Sequence, residues 1–213
     1  MNTSGAGNHA AFNMAAYVIG RAAKETPDAT ALIVLDAVGT EPAEIWTFAQ
    51  LQEATLRIAG GLQRMGLSRG DRILIRLENT STYALLFFGA IAGGFVPLPT
   101  SAQLTEREAH FLLEDSGAAA VALGQGLEFP IHNHAVRVLS TDDISRLMRD
   151  GPRVEYAPTV ADDPAFLIYT SGTTASPKGV LHAQRSALGR RPMYQGWYGI
   201  SGADRMLHAG AFN

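Results

Sequence analysis

Ten residues toward the C-terminal end of this 213-residue chain hold the side chains best suited to chemistry: Thr170-Ser171-Gly172-Thr173-Thr174-Ala175-Ser176-Pro177-Lys178-Gly179. They follow an apolar run, Ala165 to Tyr169, that reads as a buried strand. Small residues let backbone N–H groups converge on one anion. The hydroxyls of Thr170, Ser171, Thr173 and Thr174 add donors, and Lys178 adds a positive charge. Lys178 is conspicuous, because Lys24 is the only other lysine among seventeen basic residues. Such a loop suits a polyphosphate, at the carboxyl edge of a parallel sheet where ligands bind. It is not a Walker A loop, since no glycine precedes Lys178 and no Ser or Thr follows it, and no G-x-G-x-x-G string occurs. A surface loop rich in turn residues is the alternative reading.

Other candidate motifs are weaker. Gly66-Leu-Ser-Arg-Gly70 matches the G-x-S-x-G string. That motif needs a strand before it and a helix after it, and the order here is reversed, so Ser68 reads as a turn serine. His132-x-His134 lacks a third ligand group and reads as a solvated loop. Asp142-Asp143 reads as a helix-capping pair and Asp162-Asp163 as part of a linker, not as a catalytic dyad. Arg190-Arg191 is too short for a nucleic-acid patch.

Composition narrows the function classes. Net charge is −3, which argues against nucleic acid as the main partner. There is no cysteine, which removes disulfides, cysteine–zinc sites and thiol nucleophiles. The N-terminal stretch 1–10 is small and polar, is expected to be disordered, and carries no signal-peptide pattern. The most apolar stretch, Tyr83 to Leu98, is broken by Gly93-Gly94 and Pro97 and falls short of the ~18–20 residues of a membrane span. A cytoplasmic location is expected. A chain of this length buries roughly 70% of its unfolded surface and needs no staple.

The elements that must position the loop follow from periodicity. Helical spacing predicts a helix over Phe12 to Lys24. Ala31 to Leu35 and Glu44 to Thr47 read as a hairpin turning at Gly39 to Pro42. Thr47 caps a helix from Phe48 to Met65 that stops at Gly66. Strands are expected at Arg72 to Leu77, Phe95 to Leu98, Ala118 to Leu123 and Val136 to Leu139. Helices are expected at Ser81 to Ala92, from Thr105 to Glu114 with Glu108 closing a capping box, and at Thr141 to Met148. After the loop, Val180-Leu181 leads toward a helix opened by His182 or Ala183. Strands alternating with helices imply an α/β fold with a mostly parallel, doubly wound sheet flanked by helices.

Tyr169 to Val180 closely resembles the signature of the adenylate-forming, AMP-binding superfamily, Y-T-S-G-T-T-G-x-P-K-G-V. That superfamily holds acyl- and aryl-CoA synthetases, luciferases and peptide-synthetase adenylation domains. Upstream pieces agree in order: Trp46 to Leu51, Gly66 to Arg72, Asn79 to Pro97 and Leu113-Glu-Asp-Ser116. Ala203-Asp-Arg-Met-Leu-His208 resembles the family's strand ending in a histidine. The overall flavour is most like acyl- or benzoate-type CoA ligases of fatty or aromatic acid metabolism. Ala175 departs from the family's glycine, and an alanine there disfavours a positive φ.

The resemblance implies an acid–thiol ligase. The carboxylate attacks the α-phosphate of ATP, pyrophosphate leaves, and a thiol then displaces AMP from the acyl-adenylate. ATP, Mg2+ and coenzyme A are the implied cofactor set, with a carboxylic acid as the partner substrate. A carrier-protein thiol is the alternative acceptor. Thr170, Ser171, Gly172, Thr173, Thr174 and Lys178 would hold the β- and γ-phosphates. His208 would sit near the acyl pocket, or else be a half-buried histidine satisfied by a carbonyl.

In this reading residues 11–185 form an α/β subdomain ending in the phosphate loop, and 186–213 begin the next. The family's adenine, ribose and hinge motifs and its catalytic lysine lie beyond Asn213. The chain is therefore expected to be the N-terminal part of a larger enzyme, partnered by the rest of the same protein and inactive alone. A homodimer stays open, as does a non-catalytic nucleotide- or protein-binding module.

Overall fold

The computed structural model describes residues 10–35, 41–170, 177–189 and 191–208. Its centre is a parallel sheet of four strands in the order β4-β3-β5-β6, with β3 at Arg72–Arg76, β4 at Val96–Pro99, β5 at Ala120–Leu123 and β6 at Arg137–Ser140. Period-two alternation gives β3, β4 and β5 two buried apolar faces, while the edge strand β6 buries only Leu139. Ile73, Ile75, Ala120 and Ala122 face one layer, while Leu74, Val121 and Leu123 face the other. The first layer is α2 (Phe48–Arg64), α3 (Ser81–Gly93) and α5 (Thr141–Asp150), through Ile58, Leu62, Leu85, Leu86, Ile144 and Leu147. The second is α4 (Glu106–Ser116), through Ala109, Leu112 and Leu113. With α3 and α4 on opposite faces, β4 and β5 fall on opposite sides of β3, which is the doubly wound topology read from the sequence.

Local chemistry sets the helix ends. Thr47 with Gln50 and Thr105 with Glu108 form capping boxes at α2 and α4. Ser140 with Asp143 forms a third at α5, so the capping function expected of Asp142-Asp143 falls to Asp143. Helices α2 and α3 cross through small residues: a Cβ on Gly89 would lie 2.5 Å from the Ile58 side chain. Gly60 is tighter still, with its absent Cβ only 1.9 Å from the Pro152 carbonyl oxygen.

The N-terminal region differs from the expected single helix over Phe12 to Lys24. Phe12 is extended and donates its N–H to the Thr159 carbonyl. Asn13 accepts from the Ala15 and Ala16 N–H groups, so the helix starts only after it. It runs through a wide π-type stretch, Ala16–Gly20, into α1 (Arg21–Glu25). Strands β1 (Thr30–Leu35) and β2 (Pro42–Thr47) pair antiparallel as expected. Gly39 and Thr40 of the expected turn, and residues 1–9, lie outside the described residues. Arg76, buried at the end of β3, donates to the carbonyls of Leu104 and Leu127 and ties two loops to the sheet. Among the described residues no helix is long and apolar enough to cross a membrane.

Two outcomes test these packing and capping arguments. Gly60→Ala should destabilise the fold by on the order of 1–3 kcal/mol in chemical denaturation, although alanine outranks glycine in a free helix. Hydrogen bonds from Thr105 hold the Glu108 carboxyl below its ordinary range, and those from Ser140 do the same for Asp143. A depressed carboxyl pKa adds stability above the unfolded value and loses it as pH falls. The drop in Tm caused by Glu108→Ala or Asp143→Ala should therefore be full at pH 7 and fade as pH falls below the ordinary carboxylate range, through the lowered folded-state pKa of each group.

Candidate functional site

The polar run after Tyr169 closes a ribbon of its own. Strand β7 (Pro164–Thr170) pairs antiparallel with β8 (Lys178–Ala183), and this two-stranded sheet is separate from the parallel one. Thr170 lies directly across from Lys178 and Tyr169 across from Gly179. Both ends of the candidate loop are therefore held in one ladder register, and both residues are exposed. Opposed residues of an antiparallel pair share a face. The Thr170 hydroxyl and the Lys178 ammonium are thus carried on one side of the ribbon's end. Ser171, Gly172, Thr173 and Thr174 lie outside the described residues. Among the described residues no carboxylate forms an ion pair with Lys178.

Three expectations are corrected here. Residues 180 to 183 continue β8 and do not open a helix. Ile168 pairs with Val180, Leu167 with Leu181, and the His182 ring stacks on Phe166 with centroids 4.4 Å apart, so cross-strand contacts win over local helix propensity. The next helix is α6, Ser186–Gly189, followed by α7, Arg191–Gly196. Strand β7 is also less buried than its apolar run implies, with only Ala165 fully enclosed. Finally, the strand that leads into the loop does not end at the carboxyl edge of the parallel sheet. The Tyr169 hydroxyl donates to Asp115 Oδ2 at 2.5 Å, in the last turn of α4. That helix end adjoins the start of β3, where Arg72 donates to the Ser116 and Gly117 carbonyls.

The base of the ribbon is fixed by two buried amides. Gln184, fully enclosed, accepts the Met14 N–H at 2.7 Å and donates to the Pro164 carbonyl at 3.0 Å. Asn13 donates to the carbonyls of Ile91, at the end of α3, and Ala157, in the connection before β7. Phe166 adds ring contact with Phe87 of α3. Near the loop, burial first and the Asp115 carboxylate second push the Tyr169 phenol well above its ordinary range, so it stays a donor. Asn13, Asp115 and Gln184 were not singled out by motif spacing. Each has a partner 54 to 170 residues away, Tyr169 for Asp115, Ala157 for Asn13 and Met14 for Gln184, and no local pattern marks those links.

The remaining sequence candidates fall out plainly. His208 is exposed on an irregular segment after α7, not at the end of a strand. Ser68 is a turn residue whose N–H donates to Asp71, as its order between helix and strand implied. His132 meets the edge of His110, and among the described residues no group of three His, Cys, Asp or Glu could hold a metal ion. Asp162 pairs with Arg185, and Asp163 accepts the Val160 N–H, both in turns that flank the ribbon.

Comparison with known proteins agrees with this arrangement. The family described as AMP-binding enzyme matches residues 19–212. The chain is 31% identical over 176 residues to the long-chain-fatty-acid–CoA ligase FadD13 of Mycobacterium tuberculosis (strain CDC 1551 / Oshkosh), covering 76% of this chain and 34% of that protein. It is 32% identical over 162 residues to the 4-hydroxybenzoate–CoA/benzoate–CoA ligase of Rhodopseudomonas palustris, covering 68% of this chain and 30% of that protein. The inhibitor-bound crystal structure of the N-terminal domain of FACL13 from Mycobacterium tuberculosis matches with a TM-score of 0.70 at 27% identity, over 83% of this chain and 46% of that one. The chain thus spans about a third of the length of the curated relatives it matches. With a doubly wound α/β unit, a hydroxyl- and glycine-rich loop closed by Lys178, and a family match running almost end to end, the chain belongs to the AMP-binding enzyme family.

Proposed function

We propose that the chain is the N-terminal part of an ATP-dependent carboxylate–CoA ligase that makes an acyl-adenylate and then a thioester. The observation that carries this reading is the cross-strand pairing of Thr170 with Lys178. It sets a hydroxyl and a compact cation side by side at the mouth of a loop whose sequence supplies Ser171, Gly172, Thr173 and Thr174.

In this reading those residues bind the β- and γ-phosphates of ATP. The Thr170–Lys178 rung is held in its ladder before substrate arrives, so it would stabilise the charge that grows on pyrophosphate as the carboxylate oxygen attacks the α-phosphorus. Lys178 supplies the charge as a point, a geometry that the planar fork of arginine does not copy. Mg2+ belongs to this reading as a counter-ion of the nucleotide phosphates, and no step is assigned to it. His208 remains a proposed acyl-side residue, carried by the order of motifs alone.

The test uses the complete gene product. A pyrophosphate-release screen over fatty and aromatic acids, run with coenzyme A and with a carrier-protein acceptor, identifies the acid and the thiol. With that acid, Lys178→Ala should weaken ATP use several-fold in ATP–pyrophosphate exchange, and Lys178→Arg should restore it only in part. Exchange unchanged by Lys178→Ala would remove the phosphate role from this ribbon.

A further inference from the structure

The end of the β7–β8 ribbon has a support that lies outside the phosphate-loop residues themselves. A two-stranded ribbon is marginal alone, and the pair that opens the loop is the last rung of its ladder. The rung next to it is Tyr169 opposite Gly179. Glycine leaves room there: a Cβ on Gly179 would stand 3.3 Å from Tyr169 Cζ and 3.2 Å from Leu167 Cδ1. The Tyr169 ring therefore lies across both strands, one rung behind Thr170 and Lys178. Its inner edge packs with Leu167 against the cluster of Leu74, Leu98, Leu112 and Leu113. Its hydroxyl reaches Asp115 at 2.5 Å. Asp115 is itself on firm ground, because the two residues after it, Ser116 and Gly117, receive hydrogen bonds from Arg72 at 2.9 and 2.7 Å. A continuous path of contacts thus runs from the start of β3, through the end of α4, to the rung beside Lys178.

We infer that Tyr169 and Asp115 are a positioning pair that fixes where the Thr170–Lys178 rung presents its hydroxyl and ammonium to the phosphates of ATP. The inference rests on the phosphate role proposed above. Neither residue touches the nucleotide in this reading. They act through the ladder, by holding the ribbon's end at one angle to the doubly wound unit. The hydrogen bond is charge-assisted, the stronger kind, and its acceptor is supplied by a helix end rather than by a free loop.

The experiment measures KM for ATP and KM for the carboxylic acid in the complete gene product, with the melting temperature of each variant as a companion reading. Tyr169→Phe and Asp115→Ala should each raise KM for ATP by roughly 3–10-fold, the scale of one ordinary hydrogen bond, since the pair acts on the nucleotide only through the ladder. KM for the acid should stay near its starting value. The double variant should be no worse than either single one, because both remove the same contact. Asp115→Asn keeps an acceptor oxygen without the charge and should fall between the parent protein and Asp115→Ala. If Asp115→Ala fails to fold, Tyr169→Phe, which removes one oxygen and keeps the ring, decides alone. Unchanged KM for ATP in Tyr169→Phe, beside a raised value in Lys178→Ala, would overturn the positioning pair and leave the phosphate role standing. The pair is overturned equally if the two single effects add, or if they fall alike on both substrates. An unchanged value in Lys178→Ala would instead remove the phosphate role, and the pair with it.

Discussion

A two-stranded ribbon can aim a loop only when something other than its own ladder holds it in place. In this protein that constraint falls on two enclosed amides. Gln184 joins the end of the ribbon to Met14 and back to Pro164, and Asn13 joins the N-terminal segment to the end of α3 and to the connection before β7. An amide can satisfy backbone donors and acceptors together, which an apolar side chain in the same place could not. Removing either one would strand enclosed N–H and C=O groups, the costly half of hydrogen-bond energetics. The candidate site is thus fixed at its base by polar contacts and along its length by the Phe166, Phe87 and His182 rings.

The doubly wound unit supplies the rigid body to which these contacts are made. Its strands are short, four or five residues, and β3, β4 and β5 are apolar and buried on both faces, so they are stable only between helix layers, while the edge strand β6 encloses only Leu139. The first layer is drawn close by glycines: a side chain at Gly89 of α3 would meet Ile58 and the Thr55 carbonyl of α2, and one at Gly60 of α2 would meet the Pro152 carbonyl in the connection after α5. The second layer is the single helix α4, backed by Leu167 and Tyr169 from the ribbon. The same face of the sheet therefore serves both the core and the site, and α4 is the element they share.

Much of this was legible in the sequence. Alternating Ile73 and Ile75 marked β3, Thr105 with Glu108 marked the start of α4, and the run from Thr170 to Lys178 stood out by residue type alone. What escaped was pairing. Nothing in Val180-Leu181-His182 says that its partner is Phe166 to Ile168 rather than the next turn of a helix, because that choice is made by cross-strand neighbours. For the same reason a ribbon that leaves the parallel sheet looks, residue by residue, like one more buried strand. Asp115 was visible only as part of Leu113-Glu-Asp-Ser116, and its link to Tyr169 spans 54 residues. Asn13 looked like an ordinary helix residue until its carbonyl partners were in place.

The bond from the Met14 N–H to Gln184 spans 170 positions. On a ribosome adding about 5–20 residues per second, the N-terminal segment emerges on the order of ten seconds or more before its acceptor exists. Once Ser140 has been made the parallel sheet has every strand it needs, while Phe12 and Met14 still lack their partners Thr159 and Gln184. Order of synthesis and order of assembly therefore differ: Phe12 and Met14 are made before the sheet strands but dock after them. Contacts of such separation are slow to form, so the Met14 N–H goes without its Gln184 acceptor until the ribbon is complete.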